Sequence, residues 1–118
     1  MVKPDDLAAR IAVIKQEFLT RLKTDWVPAL RAMRQGFLAT PGDTALRNRI
    51  IHAAHDMTGS GAIFGYQKIT DRGRQLEDRL RKLVRQEIED TPACHAEILA
   101  LLDQLEQACV TALADLEA

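Results

Sequence analysis

The chain holds three histidines, and two of them, His52 and His55, stand about one helical turn apart in the segment from Leu46 to Phe64. An imidazole can act as a nucleophile, a proton carrier or a metal ligand, because a free one has a pKa of ~6.5 and is largely neutral near pH 7. The metal option is the weakest. His52 and His55 with Asp56 beside them lack a carboxylate on the same helical face, and no metal site is assigned. On a helical wheel of about 100° per residue, with His55 at zero, Leu46, Ile50, Ala53, Met57 and Phe64 fall within about 40° of the opposite pole. Those residues are the expected core, and His55 faces solvent.

The surroundings of His55 on that outer face are low and partly apolar. Ile51 precedes it by four residues, Gly59 follows by four and Ala62 by seven. A glycine inside a helix costs about 1 kcal/mol relative to alanine, and something must offset that cost at Gly59. One explanation is a second protein that comes close to the ring. The other is internal, with Gly59, Gly61 and Gly65 marking a helix end or a close helix crossing. The wheel alone leaves both open.

The elements that hold this helix follow from turn and cap chemistry. Pro4 opens a first helix, with Asp5 and Asp6 complementing its dipole, and Leu7, Ile11, Ile14, Phe18 and Leu22 make its apolar stripe. Thr24 is a candidate N-cap for a second helix with Pro28 in its first turn, Trp26, Leu30, Met33 and Phe37 as its stripe and Gly36 as its candidate C-cap. A continuous helix kinked near Pro28 is the alternative. Thr40-Pro41-Gly42-Asp43 is a turn, and Asp43 caps the third helix, which runs to about Phe64. Gly65 separates it from a fourth, with Ile69, Gly73, Leu76, Leu80 and Leu83 on one face. Thr91 and Pro92 supply N-cap and first position of a fifth, striped by Ile98, Leu101, Leu105, Cys109, Ala112 and Leu116. Amphipathic helices joined by short turns predict an all-α antiparallel bundle.

Composition narrows the function classes. Of the 118 residues, 47% are hydrophobic, 28% charged and only 4% aromatic, an ordinary globular mixture that favours helices over a β-sandwich. One domain accounts for the length. The net charge of −1 carries no polyanion signature, so no nucleic-acid partner is expected. No apolar run approaches the ~20 residues of a membrane span, and the first residues lack the apolar stretch of a signal peptide, so the expected location is cytoplasmic with no membrane partner. Cys94 and Cys109, without a CxxC pattern, are expected as reduced, mostly buried thiols, and His95 as a surface histidine. Arg72, Arg74, Arg79, Arg81, Lys82 and Arg85 make the fourth helix basic, with Glu77 and Asp78 as available partners. No phosphate loop, Ser-His-Asp arrangement or carboxylate pair stands out, so kinase or hydrolase activity within the chain is not expected.

His55-Asp56-Met57-Thr58-Gly59-Ser60-Gly61 resembles the signature of histidine phosphotransfer (HPt) domains, His-x-x-Lys-Gly-Ser and a small residue. The likeness continues through Gly61-Ala62-Ile63-Phe64-Gly65-Tyr66 and Ile69-Thr70-Asp71-Arg72-Gly73-Arg74-Gln75-Leu76-Glu77. It implies a four-helix bundle with an additional N-terminal helix, here about residues 4–23 ahead of a bundle over 25–117. It also implies a phosphocarrier rather than an independent enzyme, with His55 as phosphoacceptor exchanging a phosphoryl group with receiver-domain aspartates in a relay fed by a hybrid histidine kinase. The chain itself would need no cofactor, since the receiver supplies Mg2+, and would be a monomer. Gly59 would permit close approach, Ser60 would support the local geometry, and Ile51, His52, Gly59 and Ala62 would meet the partner. One position departs from the pattern, since Thr58 stands where the family has lysine. A neutral hydroxyl there replaces a cation that would pair with phosphoryl oxygens, and Lys68 or Arg72 from the fourth helix could substitute. The same departure sustains an alternative, a degenerate adaptor that binds a receiver or kinase without accepting phosphate.

Overall fold

A computed structural model describes residues 3–117. Its elements are α1 (Pro4–Arg21), a π-helical turn (Leu22–Trp26), α2 (Val27–Ala39), α3 (Thr44–Phe64), α4 (Gln67–Val84), α5 (Pro92–Ala112) and a final 3-10 turn (Leu113–Asp115). Among the described residues there is no strand, and no helix is long and apolar enough to cross a membrane. The four-helix bundle is the one expected. The additional N-terminal helix, however, is not a separate piece. From residue 4 to residue 39 the helix is unbroken, and at ~1.5 Å per residue it spans about 54 Å, which accounts for the 55 Å long axis of the molecule.

Pro28 explains the join. Inside a helix its ring collides with the carbonyl four residues back and it offers no N–H. The chain answers with a wider turn rather than a break, and the Val27 N–H bonds to the Leu22 carbonyl five residues earlier. Thr24 is consequently no N-cap, and its hydroxyl donates back to the Thr20 carbonyl. The extra residue in this turn also rotates the apolar stripe. Phe18, Leu19 and Leu22 before it and Val27, Leu30 and Phe37 after it all enter the core. Gly36 does not end the helix either, which continues to Ala39.

The remaining boundaries obey local chemistry. Asp43 caps α3 by accepting from the Leu46 N–H at 3.1 Å, and Thr91 caps α5 by accepting from the Cys94 N–H at 3.1 Å. Gly65, at φ 79°, ends α3 in the left-handed conformation that glycine adopts freely. The core runs between the helices through Ile50, Met57, Ile69, Leu76, Leu80, Ile98, Leu102 and Leu105. In α5 Leu102 takes the deep position, and Leu101 is only half-buried. Leu7, Ile11 and Ile14 of the expected first stripe lie outside the core altogether. Cys94 and Cys109 are buried free thiols, and burial followed by the nearby Glu106 charge pushes Cys109 up to about 12. At the end of the bundle near Asp43, buried Arg47 donates to the Pro41 carbonyl at 2.7 Å and to both oxygens of Asp90 at 3.0 and 3.1 Å. His95, expected on the surface, is partly covered there, bonded to Asp90 and edge-on to Phe37.

Candidate functional site

α3 and α4 form an antiparallel hairpin with the most extensive packing in the bundle. Two small residues allow it. A Cβ on Gly61 would meet Ile69 and Thr70, and a Cβ on Gly73 would meet the Thr58 hydroxyl and, at 3.1 Å, the Ala54 carbonyl. Thr70 donates to the Thr58 carbonyl at 3.2 Å across the crossing. This close seam brings α4 side chains up to the rim of the α3 outer face, where His55 stands.

The His55 side chain is 68% exposed, and its Nδ1 lies 3.2 Å from both oxygens of Glu77. A carboxylate can only accept, so Nδ1 carries the hydrogen and donates it. In the neutral ring the lone pair then sits on Nε2. Glu77 is only 13% exposed and is held from its other side by Arg81, whose Nε donates to Oε2 at 2.8 Å. Burial pushes the Glu77 carboxyl up, but the hydrogen bonds and charges of Arg81 and His55 outweigh it and hold it below the usual carboxylate range. The result is a connected row, Arg81 to Glu77 to His55, that fixes an exposed ring by its inner nitrogen.

The glycines at 59, 61 and 65 separate cleanly. Gly61 serves the helix crossing and Gly65 the helix end, whereas a Cβ on Gly59 would meet nothing within 4 Å. No contact among the described residues requires glycine at 59. His52 and Ala62 are exposed on the same side of α3 as His55, and Ser60 is half-buried one turn beyond, with no hydrogen bond to His55 or Glu77 among the described residues. Ile51 is a correction. It is 5% exposed and belongs to the core cluster, because α4 covers that flank of α3, so it cannot form an open contact patch.

Two other expectations are redirected. The Thr58 hydroxyl donates to the Ala54 carbonyl at 2.7 Å and packs against Gly73, so it points into the seam and away from solvent. Lys68 and Arg72 do not reach toward His55. They lie about 140–180° round α4 from Glu77, where Arg72 donates to Gln75 at 3.1 Å and the neighbouring Arg79 pairs with Glu97 of α5. The cation on the His55 edge is Arg81, with Arg74 one turn before Glu77. Sequence alone places Glu77 and Arg81 on a charged helix face and gives neither them nor the 77%-exposed Ile63 a role at the site. The Glu77–Arg81 spacing of four is a readable helical pair, but nothing local connects either to His55, twenty-two residues before Glu77. Among the described residues no group of three or more His, Cys, Asp or Glu could hold a metal ion.

No curated protein and no solved structure matches the chain. The family model described as "Hpt domain" matches residues 8–108, a span that includes both helices of the His55 hairpin and most of the bundle around them. Its members carry out histidine phosphotransfer in two-component signalling, and this chain belongs to the Hpt domain family.

Proposed function

We propose that the chain carries a phosphoryl group on Nε2 of His55, taking it from the phospho-aspartate of one receiver domain and giving it to the aspartate of another. The observation that carries this proposal is the exposed ring tethered through Nδ1 to Glu77, which leaves Nε2 as the outward nucleophile. In the transfer, the Nε2 lone pair attacks phosphorus in line and the bond from phosphorus to the receiver's carboxylate oxygen breaks. The receiver carboxylate leaves with the electron pair, neutralised by the Mg2+ that the receiver holds. As the N–P bond forms, positive charge grows on the imidazole, and the Glu77 carboxylate on Nδ1 stabilises it without having to move. Arg81 keeps Glu77 in place and brings a cation to the rim of the site, where the family lysine is missing. The partner's approach is served by an open strip of His52, Gly59 and Ala62, with Ile63 as an exposed apolar contact. No cofactor of the chain's own enters this scheme, and transfer happens only within the complex with a receiver, in the cytoplasm.

One observation favours a second function. Thr58 is committed to the α3–α4 seam and offers no cation, which fits an adaptor that docks on a receiver or kinase without accepting phosphate. Incubation with a phosphorylated receiver and Mg2+, beside a His55→Ala variant, separates the two. The carrier predicts an acid-labile, base-stable adduct on the wild type alone. Tight receiver binding without an adduct, across a panel of receivers, replaces the carrier by the adaptor.

A further inference from the structure

A phosphoryl group on His55 creates a charge problem. It puts up to about two negative charges on a ring whose Nδ1 already has the Glu77 carboxylate 3.2 Å away. The cations nearby are not equivalent. Arg81 stands behind Glu77 and is committed to it, its Nε donating at 2.8 Å. Lys68 and Arg72 lie on the far side of α4, and Arg49 is about 120° round α3 from His55. Arg74 remains. We propose that Arg74 binds the phosphoryl group: once His55 is phosphorylated, the Arg74 guanidinium crosses from α4 and donates to the phosphoryl oxygens. Such binding presupposes that His55 is the phosphoacceptor.

The α3–α4 seam fixes where Arg74 stands. Position 73 lies against α3 between residues 54 and 58, because a Cβ on Gly73 would meet the Ala54 carbonyl at 3.1 Å and the Thr58 hydroxyl. Its neighbour Arg74 is therefore level with His55 on the antiparallel helix. Round α4, Arg74 is about 60° from Glu77, on the side away from Leu76 and Leu80 in the core. Arg74 thus leaves α4 on the same outer side as His55 leaves α3. With no side chain at Gly61 or Gly73, the helix axes can approach to roughly 8 Å, a gap that the long stem of an arginine spans. The ground between is low, since Thr58 is drawn down into the seam by its bond to the Ala54 carbonyl. Arg74 is also free to move. It is exposed and lies beside Asp71 and Asp78, with no ion pair or hydrogen bond among the described residues. Asp71 is taken by Gln67 at 2.7 Å. Turning toward His55 breaks no polar contact, and a phosphoryl dianion attracts a guanidinium more strongly than one exposed carboxylate does.

The test phosphorylates the full chain with a phosphorylated receiver and Mg2+, removes the receiver, and follows loss of phosphate by phosphorus-31 NMR. Arg74→Gln should shorten the half-life by about threefold, the size of one exposed charge pair, and Arg74→Lys should keep most of it. Arg72→Gln removes the same charge from the far side of α4 and should leave the half-life unchanged. A second readout is direct. On nitrogen-15-labelled protein, the guanidinium N–H signals that vanish in Arg74→Gln should move when the wild type is phosphorylated, and those of Arg72 should not. Circular dichroism checks that each variant stays helical, and Arg74 lies outside the core. A half-life that does not fall in Arg74→Gln overturns the proposal, as do Arg74 signals that stay in place. So does an Arg72→Gln effect as large as that of Arg74→Gln. In each of these cases His55 remains the carrier. A wild type that takes no phosphate on His55 overturns the carrier function itself, and phosphoryl binding by Arg74 with it.

Discussion

Gly59 sets stability and transfer against each other. Its position is mid-helix, and a Cβ placed there meets nothing within 4 Å. Gly59→Ala therefore removes the backbone-entropy cost of glycine without creating a clash, and should stabilise the fold by about 1 kcal/mol. At ~2.1 cal/mol/K of unfolding entropy per residue, a chain of this length has roughly 0.25 kcal/mol/K, so Tm should rise by about 4 °C. The same position stands one turn beyond His55, with the two Cα–Cβ bonds on neighbouring lines of the helix surface. Gly59→Gln should also be stabilising, though less so, yet it puts a long side chain where a receiver must sit. Transfer to His55 should slow by at least about tenfold, the equivalent of ~1.4 kcal/mol of lost docking. Thermal unfolding by circular dichroism and single-turnover transfer from a phosphorylated receiver measure the two quantities. A falling Tm in Gly59→Ala would show an internal need for glycine that the packing does not contain. Unchanged transfer in Gly59→Gln would remove the explanation of Gly59 as clearance for a partner.

Gly73→Ala should do the opposite, costing about 1–3 kcal/mol in a denaturant titration, because its Cβ meets the Thr58 hydroxyl and the Ala54 carbonyl in the α3–α4 seam; a neutral effect would mean the seam is loose. Glu77 has its folded-state pKa depressed, so its contribution to stability is present above the unfolded value of ~4.3 and is lost as pH falls through the lower folded value. Wild type should accordingly lose more stability between about pH 5 and pH 3 than Glu77→Gln does, and parallel losses would deny the Arg81–Glu77–His55 row an energetic role. Thr58→Lys should lengthen the half-life of the phosphorylated protein several-fold by restoring a cation near the phosphoryl oxygens; an unchanged half-life would mean that Arg81 or the receiver already supplies what is needed.

Those residues also mark how far the sequence could be followed. Asp43, Gly65, Thr91 and Pro92 announce their boundaries because each acts on its own backbone or that of its nearest neighbours. Pro28 announces only a conflict, which a chain can resolve by starting a helix or by widening one turn, and packing of Val27 and Leu30 against the bundle selects the second. Gln86, at φ 60°, ends α4 in the left-handed conformation without the glycine that would give the end away. A helical wheel places His55 opposite the core, but it assigns Ile51 to the outside because it knows nothing of α4, whose close approach through Gly61 and Gly73 buries that flank. Periodicity likewise makes Leu7, Ile11 and Ile14 apolar on one face without saying what covers them. Glu77 reads locally as a surface partner of Arg81, and its meeting with His55 exists only once the hairpin has closed.

The central claim is that Glu77 occupies Nδ1 of His55 and leaves Nε2 to accept phosphate. Phosphorus-31 and nitrogen-15 NMR on the phosphorylated chain would identify the bonded ring nitrogen directly. The account predicts phosphate on Nε2 of His55, with the proton retained on Nδ1 and that proton's signal shifted in Glu77→Gln. Phosphate on Nδ1, or on another residue with His55 unmodified, would contradict it.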